Sequence, residues 1–115
     1  MQRFLDFFEQ RNMTVDLSII AEGKTFTLTQ ARTERNGHEV VAEGLSRRSL
    51  DHPDPERAQK ISGGRAIKAL YLKVKYLEEK ERISGRPSPK LVEDLRLLEK
   101  KYKAFIQGHV HLLMG

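Results

Sequence analysis

Residues 25–46 read TFTLTQARTERNGHEVVAEGLS, and the fold class turns on how this stretch is read. Phe26 and Leu28 alternate with threonines across 25–33, a pattern that suits a pleated surface with one buried face. Asn36-Gly37 follows, and both residues tolerate the positive φ of a type I′ turn, so the chain is expected to reverse there. Residues 39–46 return as a second strand. Upstream, residues 14–20 (TVDLSII) set Val15, Leu17 and Ile19 against Asp16 and Ser18, and Glu22-Gly23-Lys24 turns that segment back. The result is an antiparallel meander of three strands.

Outward from the sheet the period changes from two to 3.6. Residues 2–11 place Phe4, Leu5 and Phe8 on one helical stripe that Phe7 widens, with Asn12 as the stop. Pro53 and Pro55 end the sheet region. Asp54 can cap the next helix with Pro55 at its first position, where no backbone donor is lost. Ile67, Leu70, Val74 and Leu77 then form a seam, beside a second stripe of Leu72 and Tyr76, and Gly85 serves as the C-terminal cap. Ser88 and Pro89 repeat the cap-plus-proline start, and Leu91, Leu95, Leu98, Tyr102 and Phe105 carry a second seam to Gly108. The expected fold is therefore α+β: a short N-terminal helix, a three-stranded antiparallel sheet, then a long antiparallel two-helix hairpin. Residues 1–115 read as a single domain, with helix and sheet in 1–50, the hairpin in 54–108 and a docking tail in 109–115. The first long helix would measure roughly 40 Å, more than a small sheet covers. A second copy completing a four-helix bundle is the simplest partner, so a homo-oligomer through the hairpin is expected.

Composition narrows the function classes. Of 115 residues, 32% are charged and 38% hydrophobic, with no apolar run long enough to span a bilayer, so no membrane role is expected. Residues 1–8 (MQRFLDFF) carry Asp6 and lack a secretion-signal core. The chain has no cysteine, which excludes disulfides, thiolate metal sites and a Cys nucleophile, and fits a cytoplasmic location. Net charge is +5, and it is unevenly placed: residues 1–50 are balanced, and the whole excess falls in 51–115. Such a surface attracts anions, phosphate among them, although a solvated basic helix face would have the same composition.

The basic residues gather around SRRSLDHPDPERAQKISGGRA, residues 46–66. Arg47 and Arg48 lie where the last strand ends. Arg57, Lys60, Gly64, Arg65 and Lys68 fall within an arc of roughly 140° on the helix that follows. Gly63-Gly64 inside a helix costs on the order of 1 kcal/mol per residue relative to alanine, so a local reason is expected. Two accounts stand side by side. In one the glycines let an anion approach beside a helix N-terminus; in the other they serve a kink or a close helix–sheet contact through Gly63. Neither a Walker loop nor a Rossmann turn is present, so no nucleotide cofactor box is read and no cofactor is expected. His109 and His111 would share one side of an extended tail, yet no third ligand is placed, so no metal site is expected; His111 is kept as a possible phosphate contact. Ser46, Ser49, Asp51 and His52 are close in sequence but have no oxyanion element or orienting group, so no catalytic residue is assigned and the chain is not read as an enzyme. The aromatics fall on core stripes rather than alternating with bases along strands, which argues against a stacking groove for single strands.

The run EGLSRRSLDHPDPERAQKISGGRAIKAL with the closing HLLMG resembles a pattern found in short, poorly characterised phage and prophage proteins. The likeness covers about residues 25–72 and the last few. In outline the chain is also similar to the phage anti-defence proteins that sequester nucleotide signals of Thoeris-type immunity, and no ligand residue of that family is carried over. What the resemblance implies is a non-enzymatic viral or mobile-element protein, in the host cytoplasm, that binds a nucleotide or cyclic nucleotide. The residues proposed to hold it are Arg47, Arg48, Arg57, Lys60, Gly63, Gly64, Arg65, Lys68 and His111. The alternatives are a DNA-binding protein that uses the sheet and the basic helix, and a protein–protein inhibitor of a host defence system.

Overall fold

The computed structural model describes residues 2–47, 54–82 and 86–114, with side chains described as far as Phe105. The element order is α1 (Gln2–Glu9), β1 (Asp16–Glu22), β2 (Phe26–Arg35), β3 (His38–Arg47), α2 (Pro55–Arg82) and α3 (Pro89–Met114). This is the α+β order read from the sequence: short helix, three-stranded antiparallel sheet, two long helices. The chain divides into two compact units, Met1–Tyr71 and Leu72–Gly115, so the division falls inside α2 and not at the proline corner before it.

In the first unit the turns follow their chemistry. Helix α1 ends with Asn12 at φ 56°. The Met13 N–H donates to the Phe8 carbonyl at 2.9 Å and the Asn12 N–H to the Glu9 carbonyl at 3.0 Å. That pair of bonds is a Schellman cap, with asparagine in the left-handed position that glycine usually holds. Asn36 and Gly37 have φ of 52° and 78°, as a type I′ turn requires. Asp54 Oδ1 accepts the Glu56 N–H at 3.0 Å, which caps α2 with Pro55 at its first position.

The sheet order is β1-β2-β3, so β1 and β3 are its edges. The β2–β3 register runs unbroken from Phe26↔Arg47 to Arg35↔His38. Between β1 and β2 it slips: Ile19 faces Thr29 while Ala21 faces Leu28, leaving Ile20 as a bulge. The slip matters because it moves Glu22 onto the row of Thr27, where its Oε2 accepts the Gln59 side-chain N–H at 3.1 Å. Without it, alternation would turn Glu22 away from α2.

Helix α2 lies on the face that carries Thr29 and Gly44. Thr29 Oγ1 and Ser62 Oγ are 2.7 Å apart, and Ser62 Oγ also donates to the Gln59 carbonyl at 3.1 Å. A Cβ on Gly44 would run into the Ser62 carbonyl oxygen and the Ala66 amide nitrogen, so the helix backbone rests directly on the strand. Ala58, Ser62, Ala66 and Ala69 are buried on the facing side, a small-residue ridge that allows this approach. Near its end in the unit, Tyr71 packs between Phe4 and Phe7 of α1, tilted against the first ring and edge-to-face with the second, with ring centroids 4.9 and 4.7 Å away. Phe26, Leu28 and Leu45, on the opposite side of β2 and β3, are buried too, so the central strand is covered on both faces at this end.

In the second unit Val74, Leu91 and Phe105 are buried, while Leu98 remains 37% exposed. The Ser88 N–H donates to Glu79 Oε1 at 3.3 Å. A straight helix would carry Ser88 about 13 Å beyond Glu79, so the chain turns back at this corner. Helix α3 continues through Gly108 to Met114, so the backbone of the expected docking tail, 109–114, is helical.

Candidate functional site

Helix α2 positions most of the basic residues singled out above. Its buried side is set by Ala58, Ser62, Ala66 and Leu70, and Arg57, Lys60 and Lys68 project from the opposite side, all exposed. Gly64 lies between them, half-buried. Arg57, Lys60 and Lys68 of the expected arc therefore form an outward ridge on the first unit.

Arg65 belongs to that arc by spacing and bends away from it. Its Nη1 donates to the Leu45 carbonyl at 2.8 Å, which ties the helix to edge strand β3. A guanidinium committed to a backbone carbonyl is a structural strap, with the charge left at the surface. Gly63 is buried, and a Cβ there would sit 3.7 Å from Leu17 Cδ1 of β1. The helix–sheet account of Gly63 is the one the geometry matches: this glycine faces packed side chain, not solvent. Arg47 pairs with Phe26 in register, and alternation from Gly44 and Ser46 puts it on the sheet face away from α2. It does not join Arg57, Lys60 and Lys68. Arg48, Ser49, Asp51 and His52 lie outside the described residues, as do the side chains of His109 and His111. The extended backbone on which that expectation rested is replaced by helix over 109–114.

The start of α2 carries carboxylates beside its cations. An open depression of about 520 Å³ is lined by Asp54, Glu56, Arg57, Lys60 and Ile61. Asp54 already occupies the first free N–H of the helix, and Glu56 adds a second carboxylate in the first turn. Ser46 is fully buried and its Oγ has no hydrogen-bond partner among the described residues, so it offers no nucleophile to solvent. Among the described residues no group of three His, Asp or Glu side chains is placed to hold a metal, and no helix is long and apolar enough to cross a membrane.

Two features escaped sequence reasoning. Gly44 carries the helix–sheet contact, and an isolated glycine inside a strand pattern was the available signal. A second depression, about 650 Å³, lies at the hairpin end of the sheet, lined by residues of the α1–β1 loop, β1, β2 and β3. It collects Asp16, Arg32, Glu34 and Glu39 from segments whose proximity only the register reveals. Comparison of the chain with protein-family models and with curated protein sequences finds no match.

Proposed function

We propose that this protein is a non-enzymatic binding protein that takes a phosphate-bearing ligand on the outer ridge of α2, and that an extended phosphodiester chain is the form of ligand that suits the ridge. The observation that carries this is the exposure of Arg57, Lys60 and Lys68 opposite the buried seam. From Arg57 to Lys68 the helix advances about 16 Å, the axial reach of several successive phosphates of one strand of a duplex at roughly 3.4 Å each. A single nucleotide or cyclic nucleotide favours an enclosed site. The depression beside the ridge is open and carries Asp54 and Glu56, which ranks the nucleotide second.

Fluorescence anisotropy tests the choice, with labelled duplex DNA, labelled single-stranded DNA and a labelled cyclic dinucleotide titrated across a salt series. For duplex, log K should fall with log salt by about 0.9 per phosphate neutralised, and Lys68→Ala should reduce that slope by about one unit. Charge reversal at Arg57, Lys60 and Lys68 together should abolish binding while leaving the thermal transition in place. Salt-insensitive, stoichiometric binding of the dinucleotide that survives this triple change would overturn the proposal, as would no binding to either nucleic acid.

Self-association through α3 is part of the same proposal. Leu98 stands in the middle of the seam of Leu91, Leu95, Tyr102 and Phe105, yet it keeps 37% of its surface while Leu91 and Phe105 are buried. A second copy laid along this seam would cover it.

A further inference from the structure

Strand β1 is an edge, and five of its first five residues, Asp16 to Ile20, are exposed. Leu17, Ile19 and Ile20 keep 49%, 47% and 46% of their surface, three large apolar side chains within four positions. Leu17 and Ile19 sit on the face that α2 covers only in part, because the helix rests on β2 and β3 at Thr29 and Gly44. Natural edge strands are guarded by lysine, proline, shortness or a bulge, since their outward N–H and C=O groups invite another strand. Residues 16–22 contain no Lys, Arg or Pro. Its guards are the carboxylates at its two ends, Asp16 and Glu22, and the bulge at Ile20, which leaves Asp16 to Ile19 in regular register with β2.

The charge around the start of this strand is net negative. The 650 Å³ depression next to it draws Asp16, Glu34 and Glu39 together with one cation, Arg32. Thr33 also lines it, and its Oγ1 is buried with no hydrogen-bond partner among the described residues. The place thus combines an open strand edge, an apolar strip of Leu17 and Ile19 on the helix-facing side and an acidic hollow on the other side.

We propose that the β1 edge accepts an extended peptide from a partner protein, added antiparallel as a fourth strand, with a lysine or arginine near the peptide's C-terminal end seated in the acidic hollow. Backbone hydrogen bonds supply the affinity of such strand addition, and alternate side chains supply its selectivity. Apolar side chains at every second peptide position cover Leu17 and Ile19. The antiparallel sense follows from the better ladder geometry and sets the cationic end beside Asp16. A second copy of β1 fits poorly: pairing about Ile19 sets Asp16 opposite Glu22 at both ends, and like charges directly opposed are destabilising.

The test uses the full chain and a labelled eight-residue peptide of alternating valine and threonine ending in two lysines, with a version ending in two glutamates as its counterpart. Anisotropy measures affinity, and amide NMR shifts of residues 16–22 locate the contact. The lysine peptide should bind at least tenfold tighter than the glutamate peptide and shift the β1 amides. Ile19→Lys should abolish binding, and Glu39→Lys, on the exposed hairpin end of β3, should erase the preference for lysine. Should Ile19→Lys fail to fold, Glu39→Lys and the peptide pair decide the matter. Equal affinity for the two peptides, shifts away from β1, or concentration-dependent shifts of the β1 amides in the free chain that mark self-pairing would each overturn the proposal.

Discussion

Replacing Gly44 with alanine asks whether α2 truly rests on the strand. The added methyl would overlap the Ser62 carbonyl oxygen and the Ala66 amide nitrogen, both backbone atoms of one helix. No rotamer change relieves that overlap, so the helix must lift by on the order of 1 Å to restore ordinary contact distances. Lifting it loosens the seam of Ala58, Ala66 and Ala69 and stretches the 2.7 Å bond between Thr29 and Ser62. Overpacking of this kind costs about 1–3 kcal/mol, and a weakened buried hydrogen bond adds about 1. The gain from replacing a strand glycine, about 0.5–1 kcal/mol, offsets only part of this. A net loss of about 1–3.5 kcal/mol corresponds to a fall in Tm of roughly 4–28 °C for a unit of this size. Gly63→Ala is the internal control. Its Cβ would meet Leu17 at 3.7 Å, an ordinary contact, and the helix would gain up to about 1 kcal/mol in propensity. Circular dichroism melts and urea titrations of the two variants should therefore move in opposite directions. A Gly44→Ala protein as stable as the parent, or a Gly63→Ala protein less stable than Gly44→Ala, refutes the packing argument.

Two further changes probe other contacts. Ser62→Ala should lower the urea-derived stability by about 1–3 kcal/mol because it strands the buried Thr29 hydroxyl, while Thr29→Val should cost about 1 because Ser62 still donates to the Gln59 carbonyl; the reverse order would show that the hydroxyl pair is not shared as described. Leu98→Asp should shift the mass measured by light scattering from oligomer to monomer and leave much of the helical signal, since Leu98 is 37% exposed within one chain; an unchanged mass removes α3 from the interface.

What was legible in the sequence was local. The turn at Asn36-Gly37, the stop at Asn12 and the cap at Asp54 each depend on a few neighbouring atoms, and a short sequence window contains them all. The roles of Gly63, Arg65 and Gly44 depend on partners in another element, Leu17, the Leu45 carbonyl and the Ser62–Ala66 backbone. Spacing on a helical wheel placed Arg65 in the basic arc correctly, but it has no means of showing that a flexible side chain bends towards a strand edge. Period-two alternation located β1, while the bulge at Ile20 shifts the later residues in a way alternation does not anticipate. Gly108 looked like a helix end because glycine is costly inside a helix, and the helix runs through it. The candidate site divides along the same line: the ridge of Arg57, Lys60 and Lys68 was visible, and the separation of Arg47 from it was not.

The unbroken neighbour-to-neighbour order of the sheet bears on how the chain reaches its native state. Every strand pairs with the next one in sequence, and even the most distant pair in β2–β3, Phe26 and Arg47, closes through the turn at Asn36-Gly37. Loop-closure entropy is low for such contacts, so the meander can zip outward from its turns in small steps. Its helix-facing rows, however, hold Thr27, Thr29, Ala31, Ala42 and Gly44, side chains too small and polar to hold a sheet by burial alone. The strands can therefore meet early, while this face of the meander is completed by the small-residue side of α2.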